Sequence, residues 1–257
     1  MERVTPELHQ RLTPGSQVVW SGNDGVRMEI PPGAKRNYRL AQIDDYSALP
    51  RRRFRWHPPL QVSLRARASN GCIPGTWGFG IWNDPFSFSL GIGGAAQRLP
   101  ALPNAAWFFF ASPPNYLSFR NDLPAQGFLA ATFSSPPVPS LLLGVILPLS
   151  VFALLPAVAR MYRRAARRLI CQDTALLKID PVDWHAYSLE WSDSRTRFQV
   201  DESVVLETRI SPKGPLGLVL WVDNQYAALP PGGRIGLGSL ENPDPAWIEI
   251  ADLQVHC

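Results

Sequence analysis

Hydrophobic and polar residues alternate with a period of two along most of the chain, the pattern of β-strands that bury one face. The alternation is clearest over residues 60–69, 86–90 and 247–255. Residues 217–222 are apolar or glycine throughout, as in a strand that is covered on both faces. Pro, Gly, Asn and Asp separate these short segments. The pattern predicts an all-β fold, a sandwich or a barrel, that takes in residues 1–257 as one domain.

One segment departs from this pattern. Residues 139–159 carry no charged side chain, and arginines then follow at the spacing i, i+3, i+4, i+7 and i+8. These arginines are Arg160, Arg163, Arg164, Arg167 and Arg168. The spacing places them on one side of a helix whose other side is apolar, which is typical of a helix that lies in a membrane interface. The five side chains are therefore predicted to contact an anionic membrane surface.

The apolar run is long enough to span a bilayer. Strand-like sequence on both sides, together with Pro148 and Pro156, instead favours an inserted helical hairpin over residues 136–172 that lies at the membrane surface. Two alternatives stay open: a helical pair packed on the sandwich, and an apolar surface through which the protein oligomerises. A single transmembrane anchor is the least favoured interpretation.

The segment Asp-Trp-His-Ala-Tyr-Ser-Leu-Glu-Trp-Ser at residues 183–192, followed by Arg-Phe-Gln-Val-Asp at residues 197–201, carries a family resemblance. It resembles a run of the laminarinase-type glycoside hydrolases (family 16) and their concanavalin A-like relatives. Gly-Thr-Trp-Gly-Phe-Gly-Ile-Trp at residues 75–82 resembles another strand of that family. The resemblance covers about residues 15–120 and 175–257. It implies a concanavalin A-like jelly-roll sandwich with a concave face able to hold a saccharide.

The resemblance also implies where catalytic carboxylates would lie, and the sequence lacks them. The family's activity depends on a Glu-x-Asp-x-x-Glu strand that supplies a nucleophile and a general acid. The matching strand here is Ala-Trp-Phe-Phe-Phe-Ala-Ser at residues 106–112, and no Asp or Glu occurs between Asp84 and Asp122. We therefore do not transfer the hydrolase activity and expect a non-catalytic protein.

Two short motifs are candidates for a ligand site. In Trp82-Asn83-Asp84 and in Trp221-Val222-Asp223-Asn224 an Asp comes two residues after a Trp, so both side chains leave the same strand face. A flat indole ring beside carboxylate and amide groups is the chemistry that binds sugars. Contacts to a saccharide or another polar small molecule are predicted for Trp82, Asn83, Asp84, Trp221, Asp223 and Asn224, with Gln225 and Tyr226 at the rim.

Two other interpretations of these motifs stay open. In the first, the tryptophans are core aromatics and the Asp and Asn residues form turns, since Asp84 precedes a proline. In the second, Asp84 and Asp223 are an acid–base pair of a diverged glycoside hydrolase in which the pKa of one carboxyl is raised.

Charge and cysteine content narrow the choice of partners. The net charge is +4, but without the five arginines of the insert the chain has 20 basic and 21 acidic residues. The positive charge therefore indicates a membrane surface, and no nucleic-acid partner is predicted. Three cysteines that lie far apart predict neither a disulfide framework nor a Cys-based metal site.

No cofactor or metal is predicted. A G-x-G-x-x-A match at residues 91–96 follows a strand, but Pro100 and Pro103 leave no helix for a dinucleotide to bind. Residues 1–10 contain no apolar stretch of the kind found in signal peptides, so a cytoplasmic location is expected. The sequence leaves the oligomeric state open.

Overall fold

A computed structural model describes residues 2–22, 25–85, 98, 101–138 and 156–257. Within these residues the chain forms two large antiparallel sheets, a two-stranded ribbon and one α-helix. The all-β fold predicted from the alternation is confirmed. The predicted strand at residues 86–90, the glycine-rich loop after it and the apolar run at residues 139–155 lie outside the described residues.

The first sheet has eight strands. They are β1 (Arg3–Val4), β3 (Gln17–Ser21), β4 (Gly25–Ile30), β6 (Leu60–Ala68), β11 (His185–Trp191), β12 (Thr196–Val200), β13 (Ser203–Thr208) and β17 (Ala246–His256). Seven of them lie in the order β13-β12-β11-β6-β17-β4-β3, and β1 pairs with the end of β17. The family-like run therefore forms neighbouring strands in one half of this sheet.

The second sheet has seven strands. They are β2 (His9–Leu12), β5 (Leu40–Asp44), β7 (Thr76–Trp82), β8 (Ala105–Ala111), β9 (Gly127–Ser134), β10 (Cys171–Leu176) and β14 (Gly217–Asp223), in the order β10-β9-β8-β7-β14-β5-β2. The ribbon is formed by β15 (Gln225–Ala228) and β16 (Gly236–Ser239). A short 3₁₀ turn at Arg51–Arg53 precedes β6.

The hydrophobic core fills the space between the two sheets. On β7 the alternation sends Trp77, Phe79 and Ile81 into this core. Phe79 meets Tyr187 of β11 across the core with a ring-centroid distance of 5.0 Å. The opposite set of positions, which includes Trp82, forms the outer face of the seven-stranded sheet, on the side away from the core.

Helix α1 (Pro156–Leu169) leads into β10 and packs on the outer face of the seven-stranded sheet. Ala166 and Ile170 contact an apolar cluster that includes Phe109 of β8 and Phe133 of β9. The last part of the predicted hairpin is thus helical and rests on the sandwich. The division of the chain into a sandwich and an insert over residues 136–172 stays a prediction.

Candidate functional site

Three tryptophans lie together on the outer face of the seven-stranded sheet. Trp82 of β7, Trp107 of β8 and Trp221 of β14 are all half-buried. The ring centroids are 5.5 Å apart for Trp82 and Trp107, 5.7 Å for Trp107 and Trp221, and 6.5 Å for Trp82 and Trp221. The structure thus brings together the two tryptophans that the sequence motifs predicted and adds a third. We call these three residues the tryptophan cluster.

Two glycines of β7 make room for the tryptophan cluster. Gly80 pairs with Trp107, and Gly78 pairs with Trp221. A Cβ atom at Gly80 would lie 2.6 Å from the Cβ of Trp107, and one at Gly78 would lie 2.8 Å from the Cβ of Phe109. Because both distances are shorter than a van der Waals contact, any side chain at either glycine would displace the neighbouring strand.

Asp223 forms the polar end of the tryptophan cluster. The Nε1 of Trp221 donates a 2.9 Å hydrogen bond to the Oγ1 of Thr76, and that hydroxyl donates a 2.8 Å hydrogen bond to Asp223. The hydroxyl of Tyr38 and the backbone N–H of Gln225 also donate to Asp223. Burial raises the pKa of Asp223 to about 7, although the hydrogen bonds from Thr76, Gln225 and Tyr38 favour the charged form.

Asp84 belongs to a different arrangement. Its carboxylate forms a buried ion pair with Arg98, at 2.5 Å between Oδ2 and Nη1. Arg98 also donates to the backbone carbonyls of Tyr46, Ser47 and Leu49, and so joins three segments of the chain. Burial raises the pKa of Asp84, and the charge of Arg98 opposes that shift. Asp84 and Arg98 therefore form a structural ion pair within the protein, and the carboxylate of Asp84 is occupied by Arg98.

The alternative interpretation, in which Asp84 and Asp223 are an acid–base pair, does not fit the register of the strands that carry them. β7 and β14 run antiparallel, with Trp82 opposite Gly217 and Thr76 opposite Asp223. Each Asp lies at or just beyond the end of its strand, so the two carboxyls are separated by about six residues of paired strand, or roughly 20 Å. They lie at opposite ends of the β7–β14 pair and cannot act on the same bond of a substrate.

The two predicted asparagines hold the backbone together. Asn83 donates to the carbonyl of Leu102 and accepts from the N–H of Asn104. Asn224, which is fully buried, accepts from the N–H of Arg39 and donates to the carbonyls of Asn37 and Leu240. Their amide groups are therefore engaged within the protein, and the prediction that they contact a ligand is corrected.

Gln225 and Tyr226 lie on β15, which begins two residues after Asp223. Both side chains are half-buried. The ring of Tyr226 lies against Gly236 and Gly238 of β16, the strand that pairs with β15. Their predicted role at the rim of a ligand site stays a prediction.

The outer positions of β8 are apolar, whereas β5 places the polar side chains of Gln42 and Asp44 on the same face, on the other side of Trp221. On β8 the positions that share the face of Trp107 are Ala105, Phe109 and Ala111, so this strand presents no carboxylate there. Phe109 lies in the cluster beneath Ala166 and Ile170. The sequence-based candidates omitted Trp107, although alternation along β8 places it opposite the core residues Phe108 and Phe110.

Arg163 differs from the other four arginines of α1. It is buried, donates to the carbonyls of Ser118 and Leu229 and to the side chain of Asn121, and lies 5.2 Å from the ring centre of Tyr116. The prediction that it contacts a membrane is therefore corrected, since it fastens α1 to the sandwich. The remaining four, Arg160, Arg164, Arg167 and Arg168, are exposed.

The described residues show neither a membrane-spanning helix nor a cluster of metal ligands. None of their helices is long and apolar enough to cross a membrane. Among the same residues, no three His, Cys, Asp or Glu side chains come together as metal ligands.

Comparisons with known proteins find similarity in structure. No family model matches the sequence, and no curated protein matches it. The endo-β-galactosidase from Clostridium perfringens that releases GlcNAcα1-4Gal is 11% identical over 96% of this chain and 57% of that chain, with a TM-score of 0.51. LamAcat from Zobellia galactanivorans is 14% identical over 100% of this chain and 94% of that chain, with a TM-score of 0.48. A pseudo β-1,3-glucanase of Mycobacterium tuberculosis is 12% identical over 93% of this chain and 77% of that chain, with a TM-score of 0.47. The protein shares the β-sandwich fold of the endo-β-galactosidase, and this likeness concerns the fold alone.

Proposed function

We propose that the protein binds a neutral saccharide on the outer face of the seven-stranded sheet and does not hydrolyse it. The observation that carries this proposal is the tryptophan cluster, three half-buried indole rings in mutual contact on one sheet face. The apolar CH faces of a sugar ring stack well on indole rings, while its hydroxyls need polar groups nearby.

The polar groups beside the tryptophan cluster fit this role. Thr76, Tyr38 and Asp223 form one hydrogen-bonded chain that begins at the indole N–H of Trp221. This chain fixes the ring of Trp221 before any ligand arrives. A preorganised platform loses less conformational entropy on binding than a mobile one.

The positions of Asp84 and Asp223 support binding without hydrolysis by these two residues. Glycosidases need two carboxyl groups about 5–5.5 Å apart for retention, or about 6.5–9.5 Å apart for inversion. Asp84 and Asp223 lie at opposite ends of the β7–β14 pair, and Asp84 is neutralised by Arg98. The outward positions of β8, where the resemblance would put the catalytic strand, are apolar.

Affinity electrophoresis through gels that contain neutral polysaccharides tests both halves of the proposal. β-Glucans and β-galactans are the first to be used, with release of reducing ends measured in parallel. The wild type is expected to be retarded by at least one polysaccharide without releasing reducing ends. Trp107→Leu should be retarded clearly less than the wild type, whereas Trp20→Leu, at an exposed position on β3, should be retarded as the wild type is. Turnover, or equal retardation of both variants, would overturn the proposal.

We also propose that α1 holds the protein at an anionic membrane surface, in the cytoplasm. The supporting observation is that Arg160, Arg164, Arg167 and Arg168 are exposed together on one helix. Met161 and Leu169 beside them are 57% and 45% exposed, which is high for large apolar side chains. Arginines near an anionic leaflet contribute about 1 kcal/mol each.

Flotation with phosphatidylcholine vesicles, with and without phosphatidylserine, tests this second proposal. Replacing the four exposed arginines of α1 by Gln should abolish flotation with the anionic vesicles. The control replaces four exposed arginines elsewhere, Arg36, Arg52, Arg53 and Arg209, by Gln, which makes the same change in net charge. Equal flotation of the two quadruple variants would contradict a role for α1.

A further inference from the structure

The outer face of the eight-stranded sheet carries a polar row that the tryptophan cluster does not explain. Four polar residues lie directly opposite one another across four adjacent strands. They are Gln199 of β12, Ser188 of β11, Ser63 of β6 and Gln254 of β17. Neighbouring strands are about 4.8 Å apart, so this row is about 14 Å long. All four side chains are half-buried, uncharged and able both to donate and to accept hydrogen bonds.

Small residues in the middle of the row make it a groove. Ser63 and Ser188, with Ala186 beside them, form the floor, and Gln199 and Gln254 stand at the two ends. The groove has a volume of about 370 Å³. That volume lies within the range of about 300–1,000 Å³ that is usual for small-molecule sites.

A β-bulge shapes one rim of the groove. Between Ala251 and Gln254 the pairing of β17 with β6 shifts by one residue, and Asp252 adopts a positive φ of 57°. The bulge turns the carboxylate of Asp252 towards Arg65, at 3.6 Å. Bulges of this kind often re-aim a side chain next to a binding site.

Charge and chemistry define what the groove can hold. The cation of Arg65 is balanced by Asp252, and Glu202 adds a negative charge at the opposite rim. The groove thus offers no excess positive charge to an anion.

Three of the four side chains in the row make one long hydrogen bond of 3.3–3.4 Å within the protein: Ser188 accepts from Gln61, Gln199 donates to the carbonyl of Glu202, and Gln254 pairs with His256. The Ser hydroxyls keep a donor hydrogen and the Gln amides keep further donors and acceptors, so each can still pair with a hydroxyl of a ligand.

We infer that this groove, which we call the glutamine–serine groove, is a second binding site, for a neutral polyhydroxylated ligand such as a disaccharide. The ligand lies across the strands, along the line from Gln199 to Gln254. This site is on the opposite sheet from the tryptophan cluster, so the two sites bind independently. The protein then contacts carbohydrate on both of its broad faces.

Amide chemical-shift mapping on ¹⁵N-labelled protein tests the inference. Cellobiose, lactose and laminaribiose are the neutral probes, and glucose 6-phosphate is the charged comparison. At least one neutral disaccharide should shift the amides of Ser63, Ser188 and Gln254 saturably. The shifts should persist in Trp107→Leu, which separates this site from the tryptophan cluster.

Two variants make the result decisive. Ser188→Tyr fills the floor of the groove with a residue that is favoured in strands, and should abolish the shifts. Gln254→Ala should weaken binding about tenfold, the equivalent of about 1.4 kcal/mol. Gln17→Tyr, at an exposed position of β3 in the same sheet, is the matched control and should bind as the wild type does. Absence of shifts at the row for all three disaccharides, unchanged binding by Ser188→Tyr, or tighter binding of glucose 6-phosphate would each overturn the inference.

Discussion

The indole rings of Trp82 and Trp221 lie with their planes 6° apart and their centroids 6.5 Å apart, although the two residues belong to antiparallel strands. Trp107 contacts both rings from the neighbouring strand β8. The two Trp-x-Asp motifs therefore converge at their tryptophans and diverge at their aspartates. This geometry favours an aromatic platform and excludes a pair of catalytic carboxylates at Asp84 and Asp223.

The glycines beneath the tryptophan cluster give the first prediction. Gly78→Ala and Gly80→Ala should each lower the free energy of unfolding by about 1–3 kcal/mol, because the added methyl group displaces the neighbouring strand β8. Gly71→Ala, where a Cβ meets nothing within 4 Å, is the control. Urea unfolding of the three variants measures the difference. Equal stability of all three would contradict the close approach of β7 and β8.

The buried ion pair gives the second prediction. Arg98→Met should lower the free energy of unfolding by about 3–5 kcal/mol, because it leaves the buried carboxylate of Asp84 without its partner. Arg195→Met breaks the exposed pair with Glu207 and should cost no more than about 1 kcal/mol. Thermal and chemical unfolding of both variants measure these costs. Equal losses would show that Asp84 and Arg98 are not a buried pair.

The pKa of Asp223 gives a prediction on pH. Its native value of about 7 lies above the value of about 3.9 for an unfolded Asp. The folded protein therefore binds more protons between these values, and the stabilising contribution of protonated Asp223 is lost as the pH rises towards 7. Asp45, whose pKa burial raises to about 6, acts in the same direction.

Asp223→Asn isolates that contribution, since its amide does not titrate. From about pH 4 to 7, the stability of the wild type should fall more steeply than that of Asp223→Asn, by up to about 1.4 kcal/mol per pH unit. The same measurement on Asp45→Asn gives the part of the pH dependence that comes from Asp45. Parallel profiles for the wild type and Asp223→Asn, from urea unfolding at several pH values, would contradict the raised pKa.

Arg163 gives a prediction about the attachment of α1. Arg163→Met leaves the buried carbonyls of Ser118 and Leu229 without their donor and should cost about 1–3 kcal/mol. Arg164→Met, one residue further along the helix and exposed, should change stability by no more than about 0.5 kcal/mol. Chemical unfolding, with limited proteolysis of α1, compares the two. Equal effects would contradict the anchoring role of Arg163.

The strands could be predicted from the sequence because their alternation is local. The segment that begins at Leu60, the apolar segment that begins at Gly217 and the last strand, which contains Trp247, were all expected and are all present. A period of two shows which side chains share one face of one strand. It does not show which residues of another strand lie opposite, since that depends on register.

The failure of the Asp84–Asp223 pair follows from this limit. Because β7 and β14 are antiparallel, the aspartates that follow Trp82 and Trp221 come to lie at opposite ends of the strand pair. Similarly, the helical spacing places Arg163 on the same side of α1 as the other four arginines. The spacing does not show that the packing of α1 on the sandwich buries Arg163 and leaves the other four exposed. The glutamine–serine groove depends on register across four strands, which no local pattern carries.

Saccharide binding at the tryptophan cluster is tested most directly on an array of neutral glycans. The array is probed with the wild type, Trp107→Leu and Trp20→Leu, after circular dichroism has shown that all three are folded. We predict that the wild type and Trp20→Leu bind the same glycans, and that Trp107→Leu binds them at least about tenfold more weakly. Absence of binding by the wild type to every neutral glycan, or equal binding by folded Trp107→Leu, would contradict the proposed function.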